Sequence, residues 1–287
     1  MRKLVRKLGW FSAFLGTAFS GLATLPALAA EQVTGQPYAW QLGLQAAGDE
    51  RMRDIIGLHT FVLYIITAVC LFVLGLLVYI MLRFNAKANP TPSATTHNTI
   101  LEVLWTVVPV IILVAIAIPS FRLLYFEDVI PPSDMTVKAI GKQWFWTYEY
   151  PDNGNFTFDA LITPDRRSQP VQADGPPRLL GTNNHVVVPV GKTVRILTTG
   201  ADVIHSWAIP AFGVKIDAVP GRINQTWFKA DKEGMYYGEC SELCGARHAF
   251  MPITVEVVSQ EKFDQWVADA KTKFAAVGAP TRVAAEH

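Results

Sequence analysis

The sequence predicts a membrane-anchored all-β protein in which a two-helix transmembrane hairpin precedes a β-sandwich or small barrel. Three observations carry this reading. Two long uncharged apolar runs lie in the first half of the chain, the second half is built of short β-rich runs between turn residues, and the hydrophobic share is 51% with a mean hydropathy of +0.25. That hydropathy is high for a wholly soluble chain, and 287 residues leave room for a sizeable domain beside membrane segments.

Residues 1–29 have the pattern of a secretory signal peptide. Arg2, Lys3, Arg6 and Lys7 precede an apolar stretch from Leu8 to Leu25, and Ala27-Leu28-Ala29 supplies the small-x-small pattern that a signal peptidase cuts. Cleavage falls after Ala29, with Ala30 as the neighbouring alternative; an uncleaved anchor would instead add a third span. Either way the following residues leave the cytoplasm, and residues 30–54 form a short polar segment on the periplasmic side.

The first span, Thr60 to Leu82, has 23 residues without a charge. At ~1.5 Å per residue it is about 34 Å of helix, enough to cross a bilayer. The second, Val103 to Phe121, has 19 uncharged residues and contains Pro109 and Pro119, so kinks are expected near its ends. Together they make a hairpin over residues 55–124. Its connection, Arg83 to Thr99, carries Arg83 and Lys87 and no acid, which places the loop inside and both ends outside. Glu102 stands at the cytoplasmic mouth of the second span. A carboxylate there is costly unless it lies at the interface or serves a proton path, and position alone favours the interface. His59, at the end of the first span, reads as structural or interfacial, so the spans hold no haem ligand set.

Beyond Arg122 the chain becomes a β domain over 125–260. Strands are predicted at Met135 to Ile140, Trp144 to Tyr150, Val186 to Val190, Thr193 to Thr198, Ser206 to Ile209, Gln225 to Phe228, Gly234 to Gly238 and Ile253 to Val258. Thr163 to Leu180, rich in Pro and charge, reads as a long loop. Phe263, Trp266, Val267 and Phe274 have helical spacing, which predicts a surface helix over Gln260 to Ala275 within a C-terminal helix and tail, 261–287. Residues 123–287 hold 16 Lys+Arg against 19 Asp+Glu, a net of −3. No basic stripe is present, which excludes nucleic-acid binding.

The densest chemistry lies between Gly238 and Met251, where Cys240, Cys244, His248 and Met251 fall within twelve positions. Two thiols, an imidazole and a thioether are soft and borderline ligands, a set that selects copper over magnesium, calcium or manganese. Other readings compete: a small disulfide, a zinc site, or one face of a helix. The helix fails first, because Gly238 and Gly245 bracket the segment. His205, in Val-Ile-His-Ser-Trp, adds a second imidazole. A mononuclear blue-copper site needs one thiolate, two imidazoles and a weak axial ligand, so this set has one thiolate too many; two thiolates can instead bridge two metals.

Cys240-Ser-Glu-Leu-Cys-Gly-x-x-His-x-x-Met251, with the upstream His205-Ser-Trp, resembles the binuclear copper (CuA) site of the cytochrome c oxidase subunit 2 family, and the likeness extends over roughly residues 55–260. The resemblance implies a cupredoxin-like domain. In it Cys240 and Cys244 bridge two coppers, His205 and His248 bind one each, Met251 is a weak ligand and the Glu242 carbonyl completes the shell. It implies further that the Glu242 side chain helps bind a magnesium ion shared with subunit 1. The run Gly141-Lys-Gln-Trp-Phe-Trp-Thr-Tyr-Glu-Tyr-Pro puts Trp144, Trp146 and Tyr148 on one strand face, for which core packing is the default explanation. By resemblance, Trp144 takes the electron from cytochrome c, and Glu149, Asp159 and Asp202 form an acidic docking surface. The same likeness places Glu102 at the entrance of a proton channel in subunit 1. The implied activity is that of cytochrome c oxidase, which reduces oxygen to water while pumping protons. The implied partners are subunits 1 and 3, cytochrome c and the lipid bilayer, and the implied location is the bacterial inner membrane with the copper domain on the periplasmic side. A nitrous-oxide-reductase-like copper domain, a copper-free quinol oxidase subunit and a membrane-anchored copper carrier are the alternatives.

Overall fold

The computed structural model describes residues 35–38, 40–163 and 175–274. The predicted signal peptide, residues 164–174 of the long loop, and the tail after residue 274 lie outside the described residues. Helix α1 spans Glu50–Arg83 and helix α2 spans Thr99–Asp128. Each begins at a side-chain cap: the Asp49 carboxylate accepts from the Met52 amide, and the Asn98 carbonyl oxygen accepts from the amides of Ile100 and Leu101. Helix α2 runs through Pro109 and Pro119 as one uninterrupted helical element. Leu71, Leu82, Ile111 and Ile118 are exposed on the hairpin. Such side chains find an apolar solvent in lipid, while the helices satisfy their own backbone groups.

The β domain has ten strands: β1 (Met135–Lys142), β2 (Phe145–Tyr150), β3 (Phe156–Ala160), β4 (Val186–Pro189), β5 (Val194–Gly200), β6 (His205–Ile209), β7 (Val214–Ala218), β8 (Asn224–Phe228), β9 (Gly234–Cys240) and β10 (Pro252–Val258). They form two five-stranded sheets, ordered β3-β2-β1-β5-β8 and β4-β10-β9-β6-β7. Pairing is antiparallel except for β1 with β5 and β4 with β10. The predicted sandwich is thus the observed one, with two added strands. Strands β3 and β7 escape the sequence pattern because they are short edge strands interrupted by charge, unlike the uncharged edge strands β4 and β8. Asp159, Lys215 and Asp217 sit within them, and an edge tolerates such charge.

Trp146, Tyr148, Trp207, Ile196, Ile253 and Phe212 are fully buried in one continuous core. Phe212 lies between Phe228 and Tyr236, at ring-centroid distances of 4.5 and 4.4 Å. Helix α3 (Gln260–Phe274) buries Phe263, Val267 and Ala270 at the predicted helical spacing, and its Trp266 leans on Tyr150 at 5.1 Å.

The outer end of α1 is welded to the β domain. Arg51 is buried, donates to Thr226 Oγ1 (3.1 Å) and to the Glu127 carbonyl (3.3 Å), and lies over the Trp227 ring at 4.7 Å. Beside it, burial lifts the Asp49 carboxyl to about 7, against the opposing pull of the Met52 amide and Arg51. A carboxyl whose folded value is raised favours folding while protonated, and that contribution is lost as pH rises toward the folded value. Asp49→Asn keeps the helix cap without the charge. Thermal unfolding of the full chain in detergent should show the variant gaining a few kcal/mol over the parent between about pH 4 and about pH 8. A pH-independent difference would mean that Asp49 does not titrate in this way.

Candidate metal centre

Strand β6 starts at His205 and strand β9 ends at Cys240, and the two strands pair through Trp207↔Cys240 and Ala208↔Glu239. Adjacent strand ends therefore bring the first imidazole to the first thiol. The chain then leaves the sheet as a loop whose base is closed by Cys240 N–H donating to Met251 O (3.2 Å) and Ser241 N–H donating to Ser206 O (3.0 Å). Within it Gly245 takes a left-handed φ of +122°, and a single 3-10 turn, His248–Phe250, carries the second imidazole.

Cys240 Sγ lies 3.9 Å from His205 Nδ1, 3.9 Å from Cys244 Sγ and 3.3 Å from the Glu242 carbonyl oxygen. Cys244 Sγ lies 3.7 Å from His248 Nδ1 and 3.5 Å from Met251 Sδ. His205, Cys240, Cys244 and Met251 are buried, and His248 is half-buried. Both cysteines are free, and their separation is far beyond a disulfide bond of about 2.05 Å. All six positions that the sequence motif singled out thus converge, and His205, Cys240 and Cys244 alone hold three ligand atoms within 4.8 Å of one another.

The electrostatics of the cluster are those of a cation site. Burial resists ionisation of Cys240, but hydrogen bonding to His205 and to the Glu242 and Ser206 backbone brings its thiol below the ordinary range. Burial and the neighbouring Cys240 charge push Cys244 above it. One proton leaves readily and the second is retained until a cation replaces it. A soft donor set of two thiols, two imidazoles and a thioether, deprotonated by the metal it binds, fits copper.

Around the ligands stands a second layer. His205 Nε2 bonds Asp202 Oδ1 (2.8 Å), which turns Nδ1 toward Cys240. Trp144 lies just before β2, half-buried, and its indole N–H donates to Cys244 O at 3.3 Å; Trp146 and Tyr148 enter the core instead. Gln143 Nε2 also donates to Cys244 O (2.8 Å). A Cβ on Gly141 would meet the His205 ring at 2.6 Å. Within the run Gly141-Lys-Gln-Trp the sequence assigns no role to Gly141 or Gln143; a glycine at the end of a strand pattern is the available signal for a close approach.

The other predicted residues are dispersed. Glu149 pairs with Lys138 (3.0 Å) and Asp159 accepts from Thr147 Oγ1 (2.6 Å), on neighbouring strands β2 and β3. Asp202 is turned inward on His205. The Glu242 side chain is exposed, and Glu102 sits in the first turn of α2, at the end of the hairpin remote from the β domain. His59 borders an apolar cavity of about 300 Å³ between α1 and α2 with Ile55, Leu58 and Leu123.

A β-sandwich that holds a buried thiol, imidazole and thioether cluster, carried on two apolar helices, defines a membrane-anchored protein of cupredoxin type. The family model described as cytochrome c oxidase subunit II, periplasmic domain, matches residues 135–258, and that for the subunit II transmembrane domain matches residues 37–123. A probable cytochrome c oxidase subunit 2 of Rickettsia bellii is 50% identical over 250 residues, covering 87% of this chain and 91% of that one. The Cereibacter sphaeroides subunit 2 is 44% identical over 274 residues, covering 89% and 90%. The crystal structure of the periplasmic domain of subunit II from Bradyrhizobium japonicum is 58% identical, covers 51% of this chain and 99% of that one, and superposes with a TM-score of 0.47. The chain belongs to the cytochrome c oxidase subunit II family, and so to the oxidoreductases.

Gly141→Ala should displace the His205 ring and abolish stoichiometric copper uptake by the full chain while leaving its far-ultraviolet circular dichroism unchanged. Full copper loading in that variant would show that the ring has another place to go.

Proposed function

We propose that this chain is the electron-accepting subunit of a cytochrome c oxidase, receiving electrons from cytochrome c at Trp144 and delivering them toward haem in subunit 1, where oxygen is reduced to water with proton pumping. The carrying observation is the pair of free, buried thiols 3.9 Å apart, with His205 beside one and His248 and Met251 beside the other. Four donors around one tetrahedral zinc would all be mutual neighbours. Here His248 falls outside the mutually close set of His205, Cys240 and Cys244, which favours two ions over one. In this reading Cys240, Cys244, His205 and His248 would hold the copper pair, with Met251 and the Glu242 carbonyl as its weak ligands. A copper pair bound there supplies one-electron redox chemistry.

The protein's own part is to exclude water, to keep the donors still and to bring a π-system up to the ligand loop. Trp144 does the last through its hydrogen bond to Cys244 O. Glu149 and Asp159, on neighbouring strands β2 and β3, offer negative charge to a basic cytochrome c, whose association should weaken with salt. The exposed Glu242 carboxylate is a hard ligand free to share magnesium with subunit 1. Arg83 and Lys87 at the turn between the two apolar helices support a location in the bacterial inner membrane with the β domain in the periplasm; in this reading subunit 3 is a further partner and residues 1–29 are removed on export.

The experiment is copper loading of the full chain in detergent, followed by electron paramagnetic resonance. The expected spectrum has the hyperfine pattern of one unpaired electron shared by two copper nuclei; a single-copper pattern or none would sink the reading. Trp144→Phe should keep that spectrum in the assembled oxidase while slowing electron uptake from cytochrome c at least tenfold, an order set by loss of a positioned relay. Glu102→Gln should slow proton uptake without changing the affinity for cytochrome c, and equal rates across pH would return Glu102 to a purely interfacial role.

A further inference from the structure

We infer that Gln143 and Asp202 form a clamp that positions the metal ligands, Gln143 being bonded to both ligand-bearing segments. This rests on the copper reading above and deepens it. The Gln143 main-chain N–H donates to Asp202 Oδ2 (2.7 Å), while its side-chain Nε2 donates to Cys244 O (2.8 Å). Asp202 in turn spends Oδ1 on His205 Nε2 (2.8 Å) and on the Val203 amide (2.7 Å). One residue thus ties the turn that carries Trp144 to the β5–β6 segment bearing His205 and to the loop bearing Cys244. Gly245 permits the closeness: a Cβ there would stand 3.1 Å from both Gln143 Nε2 and Trp144 Cζ2.

The clamp gives Asp202 work different from docking a basic partner. Both of its oxygens are engaged by groups of its own chain, one of them the ring of a metal ligand. Its charge therefore acts on the metal through His205, as carboxylates behind ligating histidines do. The Gln143 amide acts with the opposite sign, because the positive end of its N–H dipole points at the carbonyl of a thiolate ligand. Hydrogen bonding around a ligating sulfur is one of the levers that set a copper potential.

The test uses the full chain in detergent, loaded with copper. Gln143→Leu removes the donor and should lower the reduction potential, since it takes positive potential away from the oxidised centre; Gln143→Glu, close in size, should lower it as well. Asp202→Asn removes a negative charge and should raise it. Each variant should also lose roughly ten- to a hundredfold in copper affinity, measured by competition with a chelator. Melting of the metal-free variants should equal that of the parent. Potentials that stay at the parent value, or shifts accompanied by a lowered metal-free melting temperature, overturn the clamp and leave these residues docking or purely structural groups. Failure of the unaltered chain to bind copper overturns the clamp together with the function beneath it, whereas normal binding with unmoved potentials overturns the clamp alone.

Discussion

Two residue pairs join β6 to β9, Trp207 with Cys240 and Ala208 with Glu239, and the metal centre depends on that short ladder. Side chains alternate faces along a strand, so a slip of one residue would send Cys240 to the other face and leave His205 without its thiol. The register is protected from both sides. Trp207, at 0% exposure, fixes β6 in the core, and ten residues of β6 and β9 beyond the ligands are tied to β7 and β10. The ladder is short where the ligands are and braced where they are not, which leaves the strand ends free to diverge into the two ligand-bearing segments.

The same economy governs the link between membrane and periplasm. Helix α1 is 34 residues, about 51 Å, and so exceeds a hydrocarbon core of roughly 30 Å. Its outer turns are spent on the β domain, where Met52 and Arg51 are buried and Arg51 covers Trp227. Phe126, near the end of α2, meets Trp227 edge-on at 5.5 Å, so both helices of the hairpin end on the same indole. A domain held at two points cannot swing freely about the β1 connection. That would matter for the proposed copper centre, whose distance to a partner's redox group must stay fixed.

Much of this was legible in the chain and some was not, for physical reasons. The spans and the helical spacing of Phe263, Trp266, Val267 and Phe274 are visible because burial in lipid or against a sheet imposes periodicity on the sequence. The ligands are visible because soft-metal chemistry admits few residue types at close spacing. Edge strands β3 and β7 are hidden, since half their surroundings are solvent and charge is tolerated there. Asp202 shows a deeper limit: its sequence neighbourhood reads as a surface acid, and only the fold reveals that both its oxygens are bonded to groups of its own chain. Gln143 is hidden for the same reason, its partners being 59 and 101 positions away.

What remains is why the cluster stays a pair of thiols. Disulfide formation would draw Cys240 and Cys244 from 3.9 Å to about 2 Å, pulling each sulfur away from its imidazole. The loop resists this movement: the Cys240 amide is held by Met251 O at its base, and the Cys244 carbonyl is held by Trp144 and Gln143 at its tip. A second thiolate beside the first is costly in a buried site, and that cost is a standing preference for cationic charge. The frame thus stores an arrangement that neither two protons nor a covalent bond satisfies well. Soft metal ions satisfy it, because they neutralise both sulfurs without moving the strands that carry them.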